Sequence, residues 1–279
     1  MKPVSRNIVR AFAPVSGVGC RIHSGDAART IVFLHGIGSH GASFAPLFEI
    51  WPAGPRLIAW DAPGYGGSKP LADAWPAAAD YAAKLDAMLD PGDYPAVDLV
   101  GHSLGCLVAG AFARAYPQRV RRLALLSPAL GYRIAAGGML PPAVASRITD
   151  LATLGAARFA ETRAPRLVHR PESKPEIVTM VRDAMQQIRP EGYAQAVHML
   201  ASGDLIADVA KIAAPILILN GADDSVTPPA GAEKLVAVCQ KRTERSASLE
   251  IIPECGHAIY QEAPALVASR LNRFFEGAA

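Results

Sequence analysis

A serine lies between two glycines in the segment VDLVGHSLGCLVAG, residues 97–110. Ser103 follows an apolar run that predicts a strand and precedes a small-residue run that predicts a helix. Gly101 and Gly105 stand two positions before and two positions after it. This pattern at a strand-to-helix turn is typical of a nucleophile elbow, because the turn is too tight for side chains at the flanking positions. The pattern alone also fits a helix-capping serine between closely packed glycines.

The predicted turn gives the serine hydroxyl an environment suited to nucleophilic attack. A helix that starts after Ser103 presents free N–H groups, which favour negative charge. The N–H of Leu104 is therefore a candidate donor to an oxyanion. We expect a second donor in the loop after the strand at residues 30–36, where the N–H of Ile37 turns toward the site. His35 is interpreted as a buried anchor of this loop and not as a reacting group.

A serine hydroxyl needs a base, and the base needs an acid that orients it. Of the seven histidines, only His257 follows a late predicted strand and precedes the last predicted helix. The chain order serine, acid, histidine then predicts an acid after the preceding strand. The segment NGADDSVTP, residues 220–228, offers Asp223 and Asp224 at that place. The residues alone leave the choice between these two aspartates open.

The candidate residues are spread over alternating strands and helices. Continuous apolar runs predict buried strands of a mostly parallel sheet covered on both faces, at residues 30–36, 56–64, 97–103, 122–128, 215–224 and 249–257. Segments with helical spacing lie at residues 76–90, 103–117 and 263–277, and the last is closed by Gly277. This alternation predicts an α/β fold with a doubly wound sheet.

The alternation stops after Pro128. The next eighty or so residues contain no convincing strand, and a segment of that length is too long for a loop. We predict a helical cap at residues 131–210, inserted into a core of residues 1–130 and 211–279. The cap enters at the sheet edge that carries the candidate residues, so we expect it to roof a mainly apolar pocket. Four methionines lie in this segment, Met139, Met180, Met185 and Met199. As a group their flexible side chains suit an adaptable pocket, whereas any one of them is expected to fill the cap's own core.

Composition argues against several classes of protein. The 279 residues carry a formal net charge of +3 without a basic stripe, so we expect no nucleic-acid partner. No apolar run is long enough to cross a membrane, and proline and glycine interrupt the N-terminal segment too often for a signal peptide. The four cysteines form no Cys-x-x-Cys pair, so we expect no metal site and reduced thiols in a cytoplasmic protein. The oligomeric state is left open.

The chain resembles the α/β-hydrolase superfamily of serine hydrolases. The matching segments follow the family's order and are His35–Gly38 with Phe44 downstream, Asp61–Ser68, Gly101–Gly105, Gly221–Pro228 and Gly256–His257. The resemblance implies an α/β-hydrolase fold and selects Asp224 over Asp223 as the acid. It also implies an acyl-serine intermediate and neither a metal nor an organic cofactor. The family often has another glycine after the elbow, where this chain has Cys106.

The resemblance implies hydrolysis of a small to medium carboxylic ester or lactone. The alternative is a carbon–carbon bond hydrolase acting on ring-cleavage products of aromatic degradation, with the same triad and a similar cap. Such an enzyme needs a cation for the substrate carboxylate. Eight arginines lie in the predicted cap: Arg133, Arg147, Arg158, Arg163, Arg166, Arg170, Arg182 and Arg189. A non-catalytic ligand-binding protein is a third hypothesis, which the intact triad makes less favoured.

Overall fold

The computed structural model describes residues 17–241 and 247–277, and the backbone of residues 8–12. The described strands are β1 (Ile8–Phe12), β2 (Gly19–His23), β3 (Asp26–Leu34), β4 (Pro55–Asp61), β5 (Val97–His102), β6 (Val120–Leu126), β7 (Ile216–Gly221) and β8 (Ala247–Ile252). They form one sheet in the order β1-β2-β4-β3-β5-β6-β7-β8. Strand β2 is antiparallel to both of its neighbours, and all other neighbouring strands are parallel. The predicted mostly parallel α/β sheet is confirmed.

Ten α-helices lie in the described part of the chain. They are α1 (Ala45–Glu49), α2 (Ala78–Met88), α3 (Gly105–Ala115), α4 (Pro142–Arg163), α5 (Pro175–Met185), α6 (Pro190–Ser202), α7 (Leu205–Val209), α8 (Pro229–Gln240), α9 (Ile259–Glu262) and α10 (Pro264–Glu276). The three helices predicted from sequence correspond to α2, α3 and α10. Gly277 ends α10 with a left-handed φ of 74°, as expected of a glycine at this position.

Both faces of the sheet are covered by apolar packing. Alternate residues of a strand point to opposite faces, and β3 shows this directly. Val32 and Leu34 enter one apolar cluster, and Ile31 and Phe33 enter the other. Helix α3 is buried on nearly every side because it packs against β5, α2 and α7. The strand and helix that flank Ser103 are therefore held in the densest part of the molecule.

The chain between β6 and β7 contains helices α4 to α7 and no strand. Gly155, with φ 71°, breaks the long helix α4 into two parts. Helix α6 rests on the loop after β4, where the backbones of Gly64 and Gly192 meet so closely that a Cβ on Gly192 would lie 2.2 Å from the Gly64 carbonyl oxygen. Gln195 adds three hydrogen bonds from α6 to that loop. The division of the chain into a core and a cap stays a prediction.

The structure bears on two expectations, the state of the cysteines and the absence of a membrane span. Cys20, Cys106, Cys239 and Cys255 are buried and form no disulfide in the described part of the chain. Within the described residues, no helix combines the length and the apolar character that crossing a membrane requires.

Candidate active site

Ser103 lies at the turn between β5 and α3 with a φ of 52°, a left-handed conformation that is strained for a residue with a side chain. Its N–H donates to the carbonyl of Leu126 at 2.9 Å, which ties the turn to the end of β6. A Cβ on Gly101 would lie 2.7 Å from the Gly105 carbonyl oxygen, and a Cβ on Gly105 would lie 2.2 Å from that of Leu34. Both glycines are required by backbone contact, as the elbow pattern predicts.

His257 and Asp224 form a buried pair. Nδ1 of His257 and Oδ2 of Asp224 are 2.8 Å apart, with side-chain exposures of 4% and 0%. An ionised carboxylate only accepts hydrogen bonds, so the proton of the neutral ring is on Nδ1. Nε2 is then the unprotonated nitrogen of His257, which is the arrangement required of a general base.

Further donors surround the Asp224 carboxylate. Its Oδ1 accepts the backbone N–H groups of Val226 and Thr227, both at 2.8 Å. Its Oδ2 also lies 2.8 Å from Oγ1 of Thr227. Burial alone would raise the pKa of Asp224, but the hydrogen bonds from His257 and Thr227 and the nearby His257 charge lower it to about 2. The carboxylate therefore stays ionised at neutral pH.

Asp223, the other aspartate of the pair, points elsewhere. Its backbone N–H donates to the carbonyl of Cys255 at 3.0 Å. Its side chain is 47% exposed and lies 3.2 Å from Nδ1 of His169. The structure thus brings Asp224, and not Asp223, against His257.

Two backbone N–H groups near Ser103 are free to bind an oxyanion. Within the described residues, the N–H groups of Ile37 and Leu104 donate to no protein acceptor, and both residues line the cavity that contains Ser103. The loop before Ile37 is close to the serine, since a Cβ on Gly36 would lie 3.1 Å from the Ser103 Cβ. The geometry is compatible with the predicted oxyanion donors.

His35 orients one of these N–H groups. The backbone N–H of Ala62 donates to Nε2 of His35 at 3.0 Å, so the ring proton is on Nδ1, which donates to the carbonyl of Gly36 at 2.9 Å. Because a trans peptide directs its C=O and N–H oppositely, this bond fixes the direction of the Ile37 N–H. Burial lowers the pKa of His35 to about 4 despite the nearby Asp61, which keeps the ring neutral. The role of loop anchor predicted for His35 agrees with this geometry.

His102 is a structural partner of His257 that the sequence pattern did not single out. Its Nε2 is 2.9 Å from the backbone carbonyl of His257, and the two rings are 5.0 Å apart. Burial, with a further contribution from the His257 charge, lowers the pKa of His102 to about 3. A neutral ring that donates from Nε2 holds the His257 backbone in place. The only signal in the sequence was its position next to Ser103.

A cavity of about 500 Å³ opens above Ser103, within the usual size range of small-molecule sites. Ser103, His257, Ile37 and Leu104 line it together with residues of the segment between β6 and β7. The segment contributes apolar side chains and three arginines: Tyr132, Leu167, Phe159, Val181, Met185, Tyr193, Leu200, Arg147, Arg163 and Arg166. Ser103, His257, the two oxyanion donors and the inserted segment therefore share one cavity, whereas Asp224 lies outside its lining and contacts His257.

The four methionines of this segment lie in different surroundings. Met185 lines the cavity and packs on the oxyanion loop, where a Cβ on Gly38 would lie 2.9 Å from its Cε. Met199 is buried in the apolar core, Met139 is 93% exposed, and Met180 is half-buried outside the cavity lining. Helix faces, which composition does not reveal, decide which of them reach the site.

A profile of the alpha/beta hydrolase family matches residues 31–270. The chain belongs to this family. A pimeloyl-[acyl-carrier protein] methyl ester esterase of Aromatoleum aromaticum is 30% identical, covering 84% of this chain and 93% of that protein. A 2-hydroxy-6-oxononadienedioate/2-hydroxy-6-oxononatrienedioate hydrolase of Cupriavidus pinatubonensis is 28% identical, covering 85% of this chain and 84% of that protein.

The fold of this α/β-hydrolase is also found among solved structures. A thermophilic esterase from Thermogutta terrifontis superimposes with a TM-score of 0.81 at 21% identity, covering 97% of this chain and 98% of that one. The prediction of an α/β-hydrolase enzyme is confirmed at the level of family and fold. The roles of Ser103, His257, Asp224, Ile37 and Leu104 stay predictions.

Proposed function

We propose that this α/β-hydrolase cleaves a small to medium carboxylic ester or lactone through an acyl-serine intermediate. Ser103 is the nucleophile, His257 the general base and Asp224 the acid that orients the base. The observation that carries the proposal is that His257, paired with the buried Asp224 at 2.8 Å, lines the same cavity as the strained Ser103. The methyl ester named for the relative from Aromatoleum aromaticum supports an ester as the bond that is cleaved.

Acylation begins when the Ser103 hydroxyl attacks the ester carbonyl carbon. Nε2 of His257 takes the hydroxyl proton, and Asp224 stabilises the resulting imidazolium through the Nδ1 hydrogen bond. The N–H groups of Ile37 and Leu104 donate to the oxyanion of the tetrahedral intermediate. The intermediate collapses, the alcohol oxygen takes the proton from His257, and the acyl group stays on Ser103.

Deacylation repeats these steps with water. Nε2 of His257 takes a proton from water, and the hydroxide oxygen attacks the acyl carbon. The second tetrahedral intermediate uses the same two N–H donors. Its collapse releases the carboxylic acid and returns the proton to Ser103.

We also propose that residues 131–210 act as a cap over this reaction. Eight of the apolar side chains that line the cavity come from this segment, and their burial with the substrate would exclude water from the acyl group. The apolar walls support a preference for hydrocarbon acyl chains. We propose a cytoplasmic location, supported by the four free buried thiols.

Labelling of Ser103 tests the assignment. An organophosphate should modify Ser103 alone, identified by mass spectrometry of peptides, and Ser103→Ala should lose at least about 10³-fold in kcat on a p-nitrophenyl ester. Ser225→Ala is a matched control, because Ser225 also lines the cavity. We expect the control to keep both labelling and activity. Activity that persists in Ser103→Ala, or a label on another serine, would show that the assignment is wrong.

Carbon–carbon bond hydrolysis is the second candidate function. The observation that favours it is the set of arginines on the cavity wall, since such substrates carry carboxylates. The relative from Cupriavidus pinatubonensis is named for a dioate substrate. Turnover of a p-nitrophenyl short-chain ester against a vinylogous diketo acid separates the two functions. A higher kcat/KM on the diketo acid would replace the ester proposal.

A further inference from the structure

The formally charged side chains on the cavity wall are all positive. Among the described residues that line the cavity, three are arginines and none is an aspartate, a glutamate or a lysine. The arginines are Arg147, Arg163 and Arg166, all from the segment between β6 and β7. A cationic wall without a carboxylate attracts an anion, because the low dielectric of a cavity strengthens the attraction.

The three arginines differ in their protein partners. Arg163 donates to Asp150 at 3.0 Å and lies over the ring of Phe159 at 4.6 Å. Arg166 is exposed. Arg147 has no ion pair within the described residues, and its Nε is buried without a hydrogen-bond partner there. Its guanidinium lies near the hydroxyl of the buried Tyr193, which is also on the cavity wall; burial raises the pKa of Tyr193, and the Arg147 charge opposes this.

A buried guanidinium N–H without an acceptor is unfavourable for the folded protein. Arg147 also lines the cavity, so a guanidinium that forms no ion pair within the described residues lies beside the space for a ligand. A carboxylate is a suitable partner for it, because its two oxygens match two parallel N–H donors of a guanidinium. The apolar residues Phe159, Val181 and Leu200 line the same cavity and suit a hydrocarbon chain between this carboxylate and the reacting ester.

We propose that Arg147 binds a free carboxylate of the substrate and thereby determines specificity. The preferred substrates are then monoesters of linear dicarboxylic acids, whose free end meets Arg147 while the ester end meets Ser103. Arg163 lies on the same wall, but Asp150 balances its charge, so Arg147 is the better placed of the two to bind the carboxylate. This inference rests on the proposed ester hydrolysis and narrows its substrate class.

Paired esters provide the test. We compare monomethyl and dimethyl esters of linear dicarboxylic acids from glutarate to sebacate, which differ only in the free carboxylate at one end. The wild-type kcat/KM should favour the monoester by about tenfold or more at the best length. Arg147→Met should lower kcat/KM for that monoester by about 10- to 100-fold, mainly through KM, and leave the diester within about threefold. Arg158→Met, on the same helix but exposed and outside the cavity lining, should change neither value.

Binding without turnover gives a second measurement. In Ser103→Ala, calorimetry with the monoester should show binding that Arg147→Met weakens and added salt weakens as well. If Arg147→Met does not fold, Arg147→Lys keeps the charge but loses the planar fork. We then expect a smaller loss confined to the monoester.

Two outcomes would overturn the inference and leave ester hydrolysis intact. One is hydrolysis of the diesters at least as fast as the monoesters at every length. The other is an equal loss on both ester types in Arg147→Met. Failure of the proposed function gives a different result, namely no cleavage of any ester and no organophosphate label on Ser103. Calorimetry with free dicarboxylates, compared between wild type and Arg147→Met, still decides the role of Arg147 in that case.

Discussion

The hydroxyl of Thr227 lies within reach of both members of the acid–base pair. Its Oγ1 is 2.8 Å from Oδ2 of Asp224 and 3.1 Å from Nδ1 of His257. It is also 3.0 Å from the carbonyl oxygen of Ser127. A hydroxyl has one proton, which it gives either to the carboxylate or to the carbonyl. Thr227 thus contacts both oxygens of Asp224, Oδ1 through its backbone N–H and Oδ2 through its hydroxyl.

Substitution of the two adjacent aspartates is expected to affect kcat very differently. Asp224→Asn should lower kcat by about 10³- to 10⁴-fold, because an amide does not stabilise the imidazolium and favours the wrong tautomer of His257. Asp223→Asn should stay close to wild type, because Asp223 is half exposed and pairs with His169. The measurement is kcat on a p-nitrophenyl ester for both variants. A larger loss in Asp223→Asn would contradict the geometry.

The choice between these aspartates shows where sequence patterns stop. Both follow β7, and the residue types alone do not distinguish them; only the family resemblance selected Asp224. Asp224 is selected in three dimensions, because its oxygens meet the N–H groups of Val226 and Thr227 and the ring of His257. The serine elbow was easier to predict, since its two glycines are required by local backbone contacts. His102 had no such local signal, because its partner is a carbonyl 155 positions away.

At the scale of elements, Glu262 of α9 connects the inserted segment to the loop of His257. Its side chain is fully buried, and Oε1 accepts the N–H of Gly256 at 2.8 Å. Oε2 accepts the N–H of His169 at 3.0 Å and Nζ of Lys174 at 2.9 Å. Gly256 immediately precedes His257, so one carboxylate holds both the segment and the position of the proposed base.

Glu262→Gln tests this connection. The amide keeps the shape of the side chain but has no charge, and its NH₂ group faces other hydrogen-bond donors. The free energy of unfolding should therefore decrease by about 2–3 kcal/mol. We also expect a lower kcat, because the loop before His257 loses its restraint. Urea unfolding and kcat are measured beside Glu176→Gln, an exposed residue of α5 that should change stability by less than about 0.5 kcal/mol. Equal behaviour of the two variants would show that Glu262 does not connect these elements.

The sequence predicted the six parallel strands but not β1 and β2. A continuous apolar run predicts a strand buried on both faces, whereas β2 reads GCRIH and contains an arginine. Arg21 is accommodated because its Nη1 lies 2.7 Å from Oδ1 of the buried Asp61. That partner is 40 positions away, so no local pattern reports it. Residues in β1 pair antiparallel with β2 along the sheet edge.

At the scale of the whole molecule, buried neutral histidines predict sensitivity to acid. Burial lowers the pKa values of His35 to about 4 and His102 to about 3. The unfolded chain protonates these rings near pH 6.5, so below that pH it binds more protons than the folded protein. Stability should therefore fall as the pH decreases from about 6.5 to about 4, by up to about 1.4 kcal/mol per pH unit for each ring.

Denaturant unfolding at pH 7, 6, 5 and 4 measures this loss. His102→Gln removes one of the two rings and should give a shallower decrease over the same pH range, whatever its stability at pH 7. A decrease as steep as that of the wild type would exclude His102 as a source of the acid sensitivity.

The positive charge of the cavity wall also affects release of the product. Hydrolysis of any carboxylic ester produces a new carboxylate beside Ser103, inside a wall with three arginines and no acid. The cations that help an anion to enter then oppose the departure of the acid that is formed. For the proposed ester hydrolysis we therefore expect product release, and not the chemical step, to be the slow stage. The rate should then fall as the acid accumulates and should depend on how quickly the next reaction removes that acid.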